Sequence, residues 1–245
     1  MAPFVIKYLK KLRNIDIFYL IAAGVFGNGL PVFLWAAAQK GLDSSFGGLI
    51  NSTTPIFTLL ISSILIQSRL SLKTLTGIFV GSAGTIFLFF SAQQVAGKSH
   101  FSLTHALWGL AGSACYGISL NLVKQKLQHI PAHIITGIPF IFMGIIALLV
   151  LIFWTDSPGL IQRPGFGEGF IYLTALAGLS TCLGAWIFNL LIKETSALFA
   201  STVTYLIPCF AVIWSVLGGE PFYLFILPSL ILIISGIILV QTGYR

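Results

Sequence analysis

Eight apolar stretches, each near twenty residues long, run through this sequence at roughly 16–38, 44–66, 72–92, 103–123, 132–154, 169–192, 196–218 and 222–242. A helix of about 20 apolar residues spans the roughly 30 Å hydrocarbon core of a bilayer, so each stretch is long enough to cross one. The connections are short and hold the charges and turn formers, as in Gln39-Lys40-Gly41-Leu42-Asp43, Gln67-Ser68-Arg69 and Asp156-Ser157-Pro158-Gly159. The longest, about 155–168, is rich in Pro and Gly and reads as a surface loop. Only 8% of the residues are charged, against about 25% in soluble domains, too few to cover a globule with polar surface. The expected fold is therefore all-α: a polytopic bundle of about eight transmembrane helices with no soluble domain.

Other classes fall away on the same grounds. The net charge of +7 does not point to nucleic acid, because the basic residues sit between apolar runs rather than on one polar face. Cys115, Cys182 and Cys209 lie inside apolar runs with no CxxC or Cys/His ligand spacing, and read as small core residues. His105, His129 and His133 lie near helix ends and read as solvated. No metal, cofactor or catalytic residue is expected. Lys7, Lys10, Lys11 and Arg13 followed by Ala36-Ala37-Ala38 resemble a signal peptide. The apolar run between them, however, exceeds the 7–15 residues of a signal-peptide core, and reads as a permanent helix.

Loop charges set the orientation. With the N-terminus in the cytoplasm, the inner side holds Lys7, Lys10, Lys11, Arg13, Arg69, Lys73, Lys124, Lys126, Lys193 and Arg245, and the outer side only Lys40, Lys98 and Arg163. Eight crossings return the C-terminus to the cytoplasm.

The sequence also matches itself at a spacing of 153. Lys40, Phe46, Pro55, Phe57 and Ser62 meet Lys193, Phe199, Pro208, Phe210 and Ser215. Each copy has a helix ending in Lys, a tight turn, a Ser-rich helix start, a proline placed at mid-helix, Gln67 or Glu220 at the helix end, and then a glycine-containing helix (Gly77, Gly81 and Gly84; Gly236). The copies lie five helices apart, an odd number, so the second is upside down relative to the first. Inverted repeats with interrupted helices are a recurrent architecture of secondary transporters, with the substrate site near the midplane.

These segments resemble the EamA domain of the drug/metabolite transporter superfamily. The first copy carries Asn51-Ser52-Thr53-Thr54-Pro55-Ile56-Phe57, Gln67-Ser68-Arg69-Leu70-Ser71, Gly77 and Gly84; the second carries Thr204-Tyr205-Leu206-Ile207-Pro208, Gly219-Glu220-Pro221 and Gly236. The resemblance covers about residues 16–242. It implies a ten-helix carrier of two inverted five-helix repeats, both termini cytoplasmic, working by alternating access and often exporting amino acids or other metabolites. This sequence begins at what would be the third helix. The expected domains are then a partial first repeat of three helices at 16–92 and a second of five helices at 103–242. The resemblance implies an acidic residue before the last helix of a repeat; that residue is Glu220 in the second copy, but the amide Gln67 stands there in the first.

A polar side chain inside hydrocarbon is costly unless it faces protein or water. The polar and aromatic groups well inside the runs, Asn28, Trp35, Asn51, Thr54, Tyr116, Asn121, Trp186, Asn189, Ser201 and Tyr205, are therefore the candidate substrate-binding residues. Amides and hydroxyls both donate and accept, as a zwitterion or neutral polar metabolite requires. The competing reading is interhelical hydrogen bonding, worth about 0.6–2 kcal/mol per contact, or interfacial anchoring for Trp35 and Trp186. Pro55 and Pro208, each lacking an N–H, are candidate hinges, with a static kink as the alternative. No Lys or Arg occupies a helix centre, which argues against phosphate and nucleotide-sugar cargo. Asp16, Asp43, Asp156, Glu168, Glu194 and Glu220 all lie near ends, so no proton-coupling group is named.

The function read from the sequence is a permease for a small polar metabolite, of amino-acid type, exported across the bacterial cytoplasmic (inner) membrane. Its partners are that small-molecule substrate and membrane lipid. Three alternatives stand beside it: a nucleotide-sugar or phosphate antiporter, marked by a buried cation; an intramembrane enzyme, marked by paired carboxylates or a Ser/His pair; and a truncated or non-transporting membrane subunit.

Overall fold

The computed structural model describes residues 12–42, 44–66, 71–96, 102–154, 165–217 and 226–243, with Tyr8 and Gly159. Lys7, Lys10, Lys11, Asp43, Gln67, Arg69, Lys98, Asp156, Arg163, Glu220 and Arg245 lie outside the described residues, as does the side chain of Pro208. Every described regular element is helical, and the eight expected runs are all present. They are α1 (Asn14–Ala38), α2 in two pieces (Ser44–Asn51 and Thr54–Ile66), α3 (Leu72–Ala96), α4 (Leu103–Lys126), α5 (Ala132–Trp154) and α6 (Phe166–Glu194). They continue with α7 as Ala197–Ser201, a 3-10 turn at Thr202–Tyr205 and Leu206–Leu217, and α8 (Leu227–Gly243). Among the described residues six of them are long and apolar enough to cross a membrane; α7 and α8, the latter described over 17 residues, are the other two.

The surface suits lipid. Phe18, Ile64, Phe79 and Leu179 point outward, each between 63% and 77% exposed. Helices remain stable there because every backbone group bonds within its own segment. The interior is held less by bulk than by close approach. Gly77, Gly81 and Gly84 on α3 face Gly236, Ile233 and Val240 on α8. A Cβ at Gly236 would come within 2.5 Å of the Gly81 nitrogen. Small residues let two backbones approach in this way, and in lipid such packing replaces the hydrophobic drive.

One expectation is corrected. Pro55 and Pro208 do not stand in the middle of continuous helices. Pro55 is the second residue of Thr54–Ile66 and Pro208 the third of Leu206–Leu217, so each follows a break instead of kinking a helix. The physical reason is that a first helical turn needs no donor from the proline nitrogen. Hydroxyls then occupy the carbonyls at each break. Ser52, Thr53 and Thr54 donate to the carbonyls of Leu49, Ile50 and Asn51 at 2.6, 2.6 and 2.7 Å. In α7, Ser201, Thr202 and Thr204 donate to those of Leu198, Phe199 and Ser201 at 2.6, 2.7 and 2.8 Å. The same hydroxyl chemistry therefore stabilises two breaks at matching places in the chain.

The α3–α8 contact gives a direct test. Gly236→Val is expected to lower the unfolding temperature in detergent, at a cost of about 1–3 kcal/mol from overpacking. Gly144→Val on α5, where a Cβ meets nothing within 4 Å, is expected to leave it unchanged. Equal effects at the two glycines would remove close α3–α8 packing as a source of stability.

Candidate functional site

The two breaks face one another across a cavity of about 660 Å³. Its walls come from α1 (Gly27, Asn28, Trp35, Gln39), both pieces of α2 (Gly47, Gly48, Asn51, Thr54) and α4 (Tyr116, Ser119, Leu120, Val123). The rest is supplied by α5 (Thr136, Phe140), α6 (Ala185, Phe188, Asn189, Ile192) and α7 (Val203, Thr204, Ile207). None of these lining residues is Asp, Glu, Lys, Arg or His. The polar groups of the wall are amides and hydroxyls; the rest of it is aromatic, aliphatic and glycine.

The packing behind the wall explains its shape. A Cβ on Gly112 would lie 2.8 Å from Trp35 Nε1, and one on Gly109 3.4 Å from the indole Cζ3. The indole thus lies across α4 where glycine leaves room for it. Gly117 brings α4 against the second piece of α2, its Cβ position 2.9 Å from the Thr58 nitrogen. In α1 the backbone widens to π-helical turns over Val25–Gly29, at Gly27 and Asn28. Such bulges recur at functional sites.

Six of the ten candidate residues come together on this wall: Asn28, Trp35, Asn51, Thr54, Tyr116 and Asn189. Among the described residues the side chains of Asn28, Asn51 and Tyr116 have no hydrogen-bond partner, so their polar groups are free for the cavity's contents. Asn189 Nδ2 donates to Thr136 Oγ1 at 3.0 Å, and Thr136 donates on to the Ala132 carbonyl at 2.9 Å. Ser119, on the same wall, donates to the Ala23 carbonyl at 2.8 Å.

The other four lie elsewhere. Asn121 is buried behind the wall, its Nδ2 bonded to the carbonyls of Thr58 at 3.0 Å and Gly117 at 2.9 Å. Ser201 is buried and bonded within its own turn. Tyr205 is fully buried against α3. Trp186 is half-buried on α6, away from the lining.

Sequence reasoning passed over Gln39, Ser119, Thr136, Phe188 and Thr204. For two of these the signal was available. At the 153-residue spacing Trp35 pairs with Phe188 and Asn51 with Thr204, as Gln39 does with Ile192 and Thr54 with Ile207, and all eight line the cavity. The π-helical turns obey the same spacing: Val25–Gly29 maps onto 178–182, inside the π segment Leu176–Leu183 of α6.

The two ends of the cavity differ. Toward the α4–α5 turn it is backed by an apolar cluster including Leu20, Leu127, Ile130, Ile134, Ile135 and Ile192. Lys193 Nζ donates to the Ile130 carbonyl at 2.6 Å, and Lys124 Nζ to the Lys193 carbonyl at 2.9 Å, tying the ends of α4 and α6 to that turn. Asp16 at the start of α1 bonds both Arg13 and His129, each at 3.1 Å. Toward the α1–α2 turn, α6 leaves the bundle, with residues 165–181 exposed, and among the described residues nothing closes over Gln39, Gly47 and Gly48.

Asn28 and Asn121 should separate by stability. Asn121→Leu is expected to cost about 0.6–2 kcal/mol, the range for interhelical hydrogen bonds in membranes, whereas Asn28→Leu is expected to leave the unfolding temperature unchanged or raised. Thermal unfolding in detergent decides; equal losses would refute the division between wall and support.

Comparison with known proteins agrees with this architecture. The model of the EamA-like transporter family matches residues 1–90 and again 103–242. An uncharacterized transporter of Clostridium kluyveri is 24% identical across 98% of this chain and 78% of its own length. A solved crystal structure superposes on 96% of this chain and 78% of that one with a TM-score of 0.70 at 17% identity, a likeness of fold alone. The chain belongs to the EamA-like transporter family and is an integral, multi-pass membrane transporter.

Proposed function

We propose that the protein exports a small, net-neutral polar metabolite of amino-acid type across the cytoplasmic membrane by alternating access. One observation carries this reading: the cavity draws matched positions from both halves of the chain and has no charged side chain on its described wall. An ion of net charge entering it would lose hydration with no countercharge, which is costly in a low-dielectric interior. A zwitterion or uncharged polar molecule can meet Asn28, Asn51, Tyr116 and Asn189 by hydrogen bonds and lay its apolar part on Trp35 and Phe188. A phosphate or nucleotide sugar would want a guanidinium or ammonium on the wall, and none of the lining residues supplies one.

The repeat assignment belongs to the same proposal. Residues 16–92 form the first, partial repeat and 103–242 the second, inverted to it. Matching helix breaks, matching π-helical turns and paired lining residues support it. Pro55 and Pro208, each just past a break, are then the hinge positions of α2 and α7. Among the described basic residues Arg13, Lys73, Lys124, Lys126 and Lys193 belong to one end of the bundle and Lys40 to the other, which supports cytoplasmic termini. With that orientation the cavity faces outward and its cytoplasmic end is closed.

Two measurements test this. In vesicles loaded with a panel of labelled amino acids, the wild type is expected to carry flux, and Asn51→Leu and Asn189→Leu to reduce it more than tenfold at normal expression. Undiminished flux in both would remove these residues from the site. Separately, single cysteines at positions 69 and 219 are expected to react from opposite sides of the bilayer. Reaction from the same side would end the inverted arrangement.

A further inference from the structure

We infer that Tyr205, which does not line the cavity, is a positioning residue that sets the α7 wall through a hydroxyl bridge to α3. The inference rests on reading the cavity as the substrate site. Its grounds are separate.

Tyr205 closes the 3-10 turn Thr202–Tyr205 and is fully buried. Its Oη lies 3.0 Å from Ser82 Oγ and donates to the Ile78 carbonyl at 3.3 Å. The phenol has one proton and gives it to Ile78, so Ser82 is the donor in the other bond. The ring rests in a slot made by Gly81, whose Cβ would lie 2.7 Å from the tyrosine Cε2. Ring and hydroxyl together fasten the turn to one place on α3.

The neighbours of Tyr205 in the turn, Val203 and Thr204, and Ile207 just beyond it, form the α7 contribution to the cavity wall. A 3-10 turn advances about 120° per residue and an α-helix about 100°. A turn that slackened to α geometry would therefore rotate Thr204 off the wall. Short 3-10 pieces have poorer hydrogen-bond geometry than α-helix and persist where surroundings hold them. The bridge from Tyr205 is such a hold, and it reaches from the second half of the chain into the first. The opposite break is held the other way round: Ser113 on α4 donates to the Ile50 carbonyl at 3.1 Å. Each cavity-lining break is thus braced by a helix of the other half, which makes the shape of either wall depend on how the halves are docked.

The test is local labelling that needs no substrate. In protein whose Cys115, Cys182 and Cys209 are replaced by alanine, Thr204→Cys and, separately, Asn51→Cys are reacted with a water-soluble methanethiosulfonate. Adding Tyr205→Phe is expected to slow reaction at position 204 at least threefold and to leave position 51 unchanged. Ser82→Ala, which leaves the ring in place, is expected to slow position 204 in the same direction. The two together should do no more than Tyr205→Phe alone, as for partners in one bridge. A rate at 204 that does not fall, an equal fall at 51, or additive effects would each overturn the inference. Should Tyr205→Phe fail to fold, Ser82→Ala carries the same test. Because labelling is independent of flux, a carrier reading that fails in vesicles leaves this result standing, and the converse also holds.

Discussion

In hydrocarbon a backbone carbonyl without a donor has no water to turn to, and the arrangement of this protein follows from how it meets that constraint. Unbroken helix solves the problem for most of the chain. Among the described residues the exceptions are the two breaks before Pro55 and Pro208, and there Ser and Thr hydroxyls reach back three residues to the carbonyls at the break, some of which also accept a backbone N–H. This makes irregular backbone tolerable at membrane depth. It also explains why both breaks line a cavity rather than face lipid: backbone that is not helical must be covered by protein or by a polar space.

The rest of the bundle is arranged around those breaks. Glycines on α4 admit the indole of Trp35 and bring α4 against α2, while glycines on α3 and α8 admit each other. Polar side chains that sequence alone would send to a substrate serve as braces. Asn121 ties α4 to α2, and Tyr205 ties the α7 turn to α3. Among the described residues Asn28, Asn51 and Tyr116, which have no protein partner for their side chains, lie on the cavity wall beside bonded groups such as Asn189 and Ser119. The division between brace and wall is a matter of where a helix face ends up, and a polar residue in an apolar run looks the same in either case.

The difference between the two ends of the cavity has a physical basis. The α4–α5 end is sealed by branched aliphatic side chains and by lysines bonded to carbonyls of the α4–α5 turn and of the end of α6, contacts that combine apolar packing with satisfaction of helix-end carbonyls. At the other end residues 165–181 of α6 are exposed, and among the described residues its packing against α4 and α5 comes from its later turns, Gly184–Glu194. Helices 1 and 6 have matching sequences of features but different packing.

The sequence determined the class of the molecule. Eight apolar runs with few charges leave no alternative to a helical membrane bundle, because length and hydropathy are local properties that lipid reads directly. The 153-residue self-match pairs positions at the two breaks and on the cavity wall, but reading it as sequence put Pro55 and Pro208 at mid-helix and passed over Phe188 and Thr204, since a proline's place in a helix depends on which neighbours donate to the carbonyls around it. Tertiary structure alone decided which polar groups face the cavity. Asn28 and Asn121 have the same chemistry and similar apolar surroundings in sequence; only the packing of α1, α2 and α4 makes one a free amide on a wall and the other a bonded strut, because facing is set by contacts between helices and not by the run in which a residue lies.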